Sequence, residues 1–255
     1  MENRHEEILK ILAEERQVKI EPLARRFGVS VETIRRDLKT MEEQLLIRRV
    51  HGGAVLDSLR AREASFDARE VKNLKEKRAV ARAAAELIED GDAIVMSNGT
   101  STLEVAKALA GKNRLTVVTN SIQIAREMVD NETNDIYLIS GKLRKEGLGL
   151  SGASGCHYLR NFRVDKAVLS VGGISVEHGI TDYHVEEADI MRTMLEIANH
   201  AIVVTDYSKL TLSGLNKICD VRDVDVIVSD WNTPIREQTA YRDLGVKVLV
   251  ADMAP

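Results

Sequence analysis

The stretch Ser97-Asn98-Gly99-Thr100-Ser101-Thr102 puts four hydroxyls, an amide and a glycine directly ahead of a helical run. A small hydroxyl-rich loop that opens a helix offers backbone N–H groups, side-chain hydroxyls and the positive end of the helix dipole to one anion. That is the chemistry of a phosphate or carboxylate site. Thr119-Asn120-Ser121 repeats the arrangement in shorter form. Ser140-Gly141-Lys142-Leu143-Arg144, Gly172-Gly173-Ile174-Ser175 and Asp206-Tyr207-Ser208-Lys209 are further polar or glycine-rich segments. Each also has a plain structural reading: Thr100 to Thr102 and Thr119 to Ser121 as helix caps, Gly172-Gly173 as a turn, Asp206 with Lys209 as an exposed ion pair, Glu186-Glu187 as acidic residues suited to a helix start. A second kind of chemistry lies in SVETIRRDL, residues 30–38, where Arg35-Arg36 stand beside Thr33 and Lys39. Arginine pairs bidentately with guanine, but arginines on a helix are also an ordinary solvated surface.

The elements that carry these residues decide between the readings. Short apolar, β-rich runs occur at 93–96, 115–119, 136–139, 167–171, 201–205, 224–228 and 246–250, and they alternate with helical segments at 76–89, 101–110, 122–130, 185–199 and 234–244. Strand-helix alternation with continuously apolar strands predicts a mostly parallel sheet covered on both faces. Ligands of such sheets bind beyond the carboxyl ends of the strands. The five polar segments follow the first five strands in turn, so they converge on one edge and favour a ligand pocket over packing alone. Ser151, Gly152 and Glu187 complete the candidate set.

The arginine pair sits in a different setting. Ile8, Ile11 and Leu12 predict a helix over 5–15, and Val18-Lys19-Ile20 alternates as a short strand. Pro22, Leu23, Ala24 and Phe27 suit a second helix ended by Gly28. Ser30 then caps a third helix, in which Val31, Ile34, Leu38, Met41 and Leu45 form one apolar stripe. Glu32, Thr33, Arg35, Arg36, Lys39 and Thr40 must point outward. Two helices joined at a glycine turn make a helix-turn-helix, whose second helix enters a major groove N-terminus first. Ile47 and Val50, with residues 54–56, flank His51-Gly52-Gly53 as a β-hairpin wing with Arg48, Arg49 and His51 set for phosphates. Charge agrees: residues 1–57 hold 11 basic and 11 acidic side chains against 25 and 29 beyond, so the net −4 falls wholly on the second part. Residues 25–51 alone hold seven basic and four acidic.

LARRFGVS, TIRRDL and RRVHGGAV, in this order within residues 4–55, resemble the winged helix-turn-helix of the DeoR family of bacterial transcriptional regulators. Leu45 stands where that family usually has a glycine. NGTST, VVTNS, LISGKLR, SVGGIS and VVTDYSK extend the resemblance over about 76–252 to the family's sensor domain, which is similar in fold to ribose-5-phosphate isomerase and related enzymes. The resemblance implies an α/β chain of three parts. These are a winged helix-turn-helix at 1–57, a linker at 58–75 anchored by Phe66, and a Rossmann-like, ribose-5-phosphate-isomerase-like parallel-sheet sensor at 76–255. It implies that the strand-end loops hold a phosphorylated sugar or related metabolite, with the Thr100 loop on the phosphate. Two departures bear on ligand identity: Ser97-Asn98 where the family often has Asp, and Leu210-Thr211 where it tends to have aromatic-glycine.

The resembled isomerases carry two aspartates in the VGGIS loop and a lysine shortly after. Here Val171 to Ile174 hold no carboxylate, and residues 175–189 no lysine. Aldose–ketose isomerisation needs a positioned base and a group that stabilises the enediolate. Glu186, Glu187, Asp182, Asp206 and His184 lack that full set, so binding without turnover is expected. The expected protein is a repressor of a carbohydrate-metabolism operon that grips double-stranded operator DNA as a homodimer or homotetramer and is released by a phosphorylated sugar, with no cofactor or metal. Arg36 with Thr33 is expected on bases. Arg35, Lys39 and the wing, with Ser30 at the helix start, are expected on the backbone. The rivals are an isomerase with a DNA-binding appendage and a co-regulator that binds protein. Composition, at 44% apolar and 30% charged, is that of a globular chain. No apolar run approaches the ~18 residues of a membrane span, MENRHEEILK has no signal-peptide core, and two cysteines, Cys156 and Cys219, fit a reducing cytoplasm.

Overall fold

The computed structural model describes residues 2–15, 17–43, 47–50, 52–55 and 65–253. The chain divides into two compact units, Met1–Ala64 and Ser65–Pro255. Leu45, His51 and residues 56–64 lie outside the described residues.

The first unit runs α1 (Glu2–Glu15), β1 (Gln17–Lys19), α2 (Ile20–Phe27), α3 (Val31–Glu43), β2 (Arg48–Val50) and β3 (Gly53–Val55). Gly28 ends α2 in the left-handed region at φ 63, and its N–H reaches the carbonyls of Ala24 and Arg25. Ser30 caps α3: its Oγ accepts from Thr33 N at 3.1 Å. Ile34, Leu38 and Met41 are buried with Ile8, Leu12, Leu23 and Val18 in one core, each large side chain contributing ~1.5–3 kcal/mol. Val31, expected to open the apolar stripe, is 36% exposed instead; the stripe begins at Ile34, and its remaining buried position is taken by Asp37. The strands form a sheet in the order β1-β3-β2, both pairings antiparallel. A Cβ at Gly53 would stand 2.0 Å from the Val18 carbonyl oxygen, so the wing can close on β1 only with glycine there.

The second unit begins at Ser65, not at 76. α4 (Phe66–Val71) and α5 (Leu74–Ala85) come first, and Phe66 is buried in the same core as Val80, Ala84 and Ile88. Residues 65–75 are therefore packed structure, not linker. The chain continues through β4 (Ala93–Met96), α6 (Thr100–Ala108), β5 (Thr116–Thr119), α7 (Ile122–Met128), β6 (Asp135–Leu138), β7 (Lys142–Arg144), β8 (Gly149–Ser151), α8 (Ala153–Leu159), β9 (Val164–Ser170), β10 (Gly173–Ser175), β11 (Gly179–Asp182), α9 (Val185–Ile197), β12 (Ala198–Val204), β13 (Asn216–Cys219), β14 (Val226–Asp230), α10 (Ile235–Asp243) and β15 (Lys247–Ala251).

Seven strands form one sheet in the order β15-β14-β12-β9-β4-β5-β6, every pairing parallel. These are the seven apolar runs of the sequence. Alternate side chains feed two cores: Val95, Leu169, Val203 and Ile227 pack with α8, α9 and α10, whereas Ile94, Val168, Val204 and Val228 pack with α5, α6 and α7. The β7–β8 hairpin and a small antiparallel sheet, β10-β11-β13, are additions that the alternation did not announce.

Candidate functional site

In the first unit, Arg35, Arg36 and Lys39 are exposed on α3, whereas Thr33 and Thr40, expected outward, are half-buried. The Thr33 hydroxyl lies 2.8 Å from Ser30 Oγ, so cap and candidate base reader form one hydrogen-bonded pair. Arg35 Nη1 lies 3.3 Å from Glu32 Oε2 in an exposed pair one turn apart, an interaction worth a fraction of a kcal/mol at most. Arg49 donates its backbone N–H to Glu42 Oε1 at 2.8 Å, which ties the wing to the end of α3. Of Arg48 only the backbone is described, paired with Val55 across the hairpin.

Behind α3 stands a cluster that the sequence reading missed. Arg4 Nε and Nη2 donate to the two carboxylate oxygens of Asp37 at 2.6 and 3.1 Å, and His5 Nε2 lies 3.3 Å from Oδ1. The Asp37 side chain is 5% exposed. Burial opposes its charge, but the hydrogen bonds and charges of Arg4 and His5 outweigh that and hold the carboxyl below its ordinary range. The one carboxylate in the middle of α3 is thus turned away from the arginine face and neutralised.

In the second unit the strand-end segments assemble as expected at the carboxyl edge, but their groups divide by role. Thr102 Oγ1 donates back to the carbonyls of Ser97 and Gly99 at 2.7 and 3.0 Å. Thr119 Oγ1 donates to the Met96 carbonyl, and Ser121 Oγ caps α7 by accepting from Ile124 N. These three hydroxyls serve the backbone. Gly172 and Gly173 are close-approach positions: a Cβ would stand 3.1 Å from Asp182 Cα at the first and 2.4 Å from the Leu212 carbonyl at the second. Gly173 also belongs to β10 rather than to a loop. Gly99 and Gly141 are equally hemmed in, by Ser170 and by Ser151. Asp206 is buried, not part of an exposed pair; its Oδ1 accepts from Asn73 Nδ2 at 2.9 Å and from Ser208 N at 3.0 Å.

What remains is a polar cluster around Asn120, which is fully buried. Its Oδ1 accepts from Asn98 N at 2.7 Å; its Nδ2 donates to the Leu150 carbonyl at 3.0 Å and lies 3.4 Å from Glu187 Oε2. Arg144 Nη1 approaches Glu187 Oε1 at 3.9 Å, Lys142 approaches Glu186 at 3.5 Å, and Ser151 Oγ donates to Glu186 at 3.2 Å. Asn98 Oδ1 is buried with no hydrogen-bond partner among the described residues. Thr100 and Ser101 are buried at the start of α6, and Gly152 opens α8 at φ 108 with open space over its Cα. Lys209 Nζ lies 5.8 Å from the Tyr183 ring centroid, and a Cβ at Gly172 would stand 3.1 Å from the same ring.

Two further residues were not singled out from sequence, Asn73 and Lys77. Lys77 is 4% exposed, and burial, only partly offset by Asp206, pushes its pKa down to about 8. The signal was present: Lys77 stands in helical register with Ala81, Ala84 and Ile88. Among the described residues no group of His, Cys, Asp and Glu could hold a metal ion, and no helix is long and apolar enough to cross a membrane. Cys156 and Cys219 are free, and burial pushes the Cys219 thiol up to about 12.

A capped helix-turn-helix with a basic wing, joined to a parallel-sheet unit with a polar cluster at its strand ends, defines a DNA-binding transcriptional regulator with a sensor domain. Residues 4–60 match the DeoR-like helix-turn-helix domain and residues 72–231 the DeoR C-terminal sensor domain; the chain belongs to the DeoR family. It is 37% identical to the HTH-type transcriptional repressor GlcR of Bacillus subtilis (strain 168), over 96% of this chain and 94% of that one. It is 32% identical to the glycerol-3-phosphate regulon repressor of Escherichia coli (strain K12), over 94% and 95%. Among solved structures, a ribose 5-phosphate isomerase A from Methanocaldococcus jannaschii matches 55% of this chain and 56% of its own at 16% identity and a TM-score of 0.41. Both of these relatives are named as repressors, not as enzymes.

Proposed function

We propose that this chain represses a carbohydrate-metabolism operon by binding its operator, and that a phosphorylated sugar at the strand ends of the second unit releases it. The observation that carries the reading is the polar cluster of Asn98, Asn120, Arg144 and Glu187 beside the buried Thr100 loop. It offers a polyol both donors and acceptors, and it offers a phosphate a helix N-terminus. The regulon named for the relative in Escherichia coli, that of glycerol-3-phosphate, is of the same chemical class. Arg36 with Thr33 meets base edges; Ser30, Arg35, Lys39, Arg48, Arg49 and His51 hold phosphates. One such domain makes too few contacts for tight specific binding, so a homodimer or homotetramer occupies repeated half-sites. The effector binds the DNA-incompetent state more tightly, since equal affinity for both would shift nothing. A thermal-shift screen of phosphorylated aldoses, ketoses, hexitols and amino sugars on the purified full chain tests this. At least one raises the melting temperature and weakens operator binding; no hit in any class would sink the sugar-phosphate reading.

A further inference from the structure

The chain enters the second unit through α4, and α4 is held by residues in or beside the strand-end loops. Its first residue, Phe66, packs its ring on the turn between β7 and β8. A Cβ at Gly147 would stand 2.5 Å from Phe66 Cδ2 and 3.2 Å from Asn98 Nδ2, so ring, hairpin turn and loop amide meet at one point. At the other end, Lys77 donates its ammonium to the Arg69 carbonyl and, at 2.8 Å, to that of Lys72. A cation on the last carbonyls of a helix satisfies them and opposes the negative end of the dipole. Asn73 follows in the left-handed region at φ 53 and donates to Asp206 Oδ1 at 2.9 Å. Lys77 itself lies within the electrostatic reach of Asp206, Lys209 and Glu104.

We propose that α4 is a latch that passes occupancy of the strand-end site to the linker, with Asn73 and Lys77 as its positioning residues. The inference rests on the reading of that site as one for a phosphorylated ligand. Thr100, Asn120, Glu187 and Asp206 are all buried, so a ligand that touches them must displace something, and the Phe66 ring and the Asn98 amide both lie on the Gly147 turn. An anion arriving there also draws on Lys209 and the Asp206 turn; the turn holds Asn73 through Asp206 and Ser208, and the charges of Asp206 and Lys209 both act on Lys77. Occupancy therefore loosens α4 at both ends.

Hydrogen exchange on the full chain tests the latch, with ribose 5-phosphate and inorganic phosphate as probes, each against chloride at equal ionic strength. In the wild type either probe slows exchange at 97–102 and speeds it at 66–72. Asn73→Gly keeps the left-handed backbone and deletes the bond to Asp206; without any probe its amides at 66–72 exchange about tenfold faster, while 93–96 and 116–119 are unmoved. Lys77→Met gives the same pattern and carries the comparison if Asn73→Gly does not fold. Slowed exchange at 97–102 with 66–72 unmoved overturns the latch and leaves the sugar-phosphate site standing. No change in either segment with either probe overturns the latch, while the sugar-phosphate site falls only if every class in the thermal-shift screen fails as well.

Discussion

Lys77 brings a charge into a helix face that is otherwise alanine, valine and isoleucine. Burial lowers its pKa from 10.5 to about 8, so between those two values the folded chain has released a proton that the unfolded chain still holds. Stability from this group therefore rises as pH rises through that window, by up to about 3 kcal/mol. Urea midpoints at both ends of the window test this against Lys77→Met, in which the rise is lost. On α3 the division of roles proposed for the two arginines has a direct test. Arg36→Ala relaxes base preference at one operator position, at about 1–3 kcal/mol against the best site. Arg35→Ala weakens all sites alike and lowers the salt slope by about one. Affinity on matched and mismatched duplexes at several salt concentrations separates the two, and the reverse pattern overturns the assignment. Asp37 and Lys77 were both legible, since each is a charge in helical register with apolar residues that the core buries. The partner of Asp37 and the charge that faces Lys77 were not legible, because Arg4 and Asp206 are brought near by tertiary packing that no local spacing encodes.

At the scale of elements, the turn after Lys209 holds strain that the sequence hinted at. Thr211 sits at φ 69, a conformation in which a β-branched side chain is a true outlier, at the position where the resemblance leads one to expect glycine. Its N–H is held by the Ile174 carbonyl at 2.7 Å and its side chain is exposed, so Thr211→Gly removes a steric penalty and little packing. The substitution stabilises the second unit by about 1 kcal/mol, read as a shift in urea midpoint at constant slope. The link between wing and α3 is a second element-scale test. Glu42→Ala removes the acceptor of the Arg49 N–H and destabilises the first unit by about 1 kcal/mol. The seven sheet strands were readable because parallel strands buried on both faces are continuously apolar. The β7–β8 hairpin and β10 were not, since partly exposed strands of three residues carry no periodicity to detect. The loops were likewise found by position, but position could not tell a hydroxyl that serves a ligand from one, like that of Thr102, that serves its own backbone.

At the scale of the whole molecule, a neutral N-terminal unit with a basic stretch at 25–51 and an acidic sensor unit share one chain, and net charge alone conceals that stretch. The central claim is that the first grips DNA and the second governs that grip. The most direct test is the affinity of the full chain for a duplex selected from a random library, measured across salt concentrations with and without each phosphorylated sugar. Log affinity is expected to fall steeply with log salt and, for at least one sugar phosphate, affinity to drop by about a further tenfold or more. An affinity that ignores salt, or that no phosphorylated sugar changes, would contradict it.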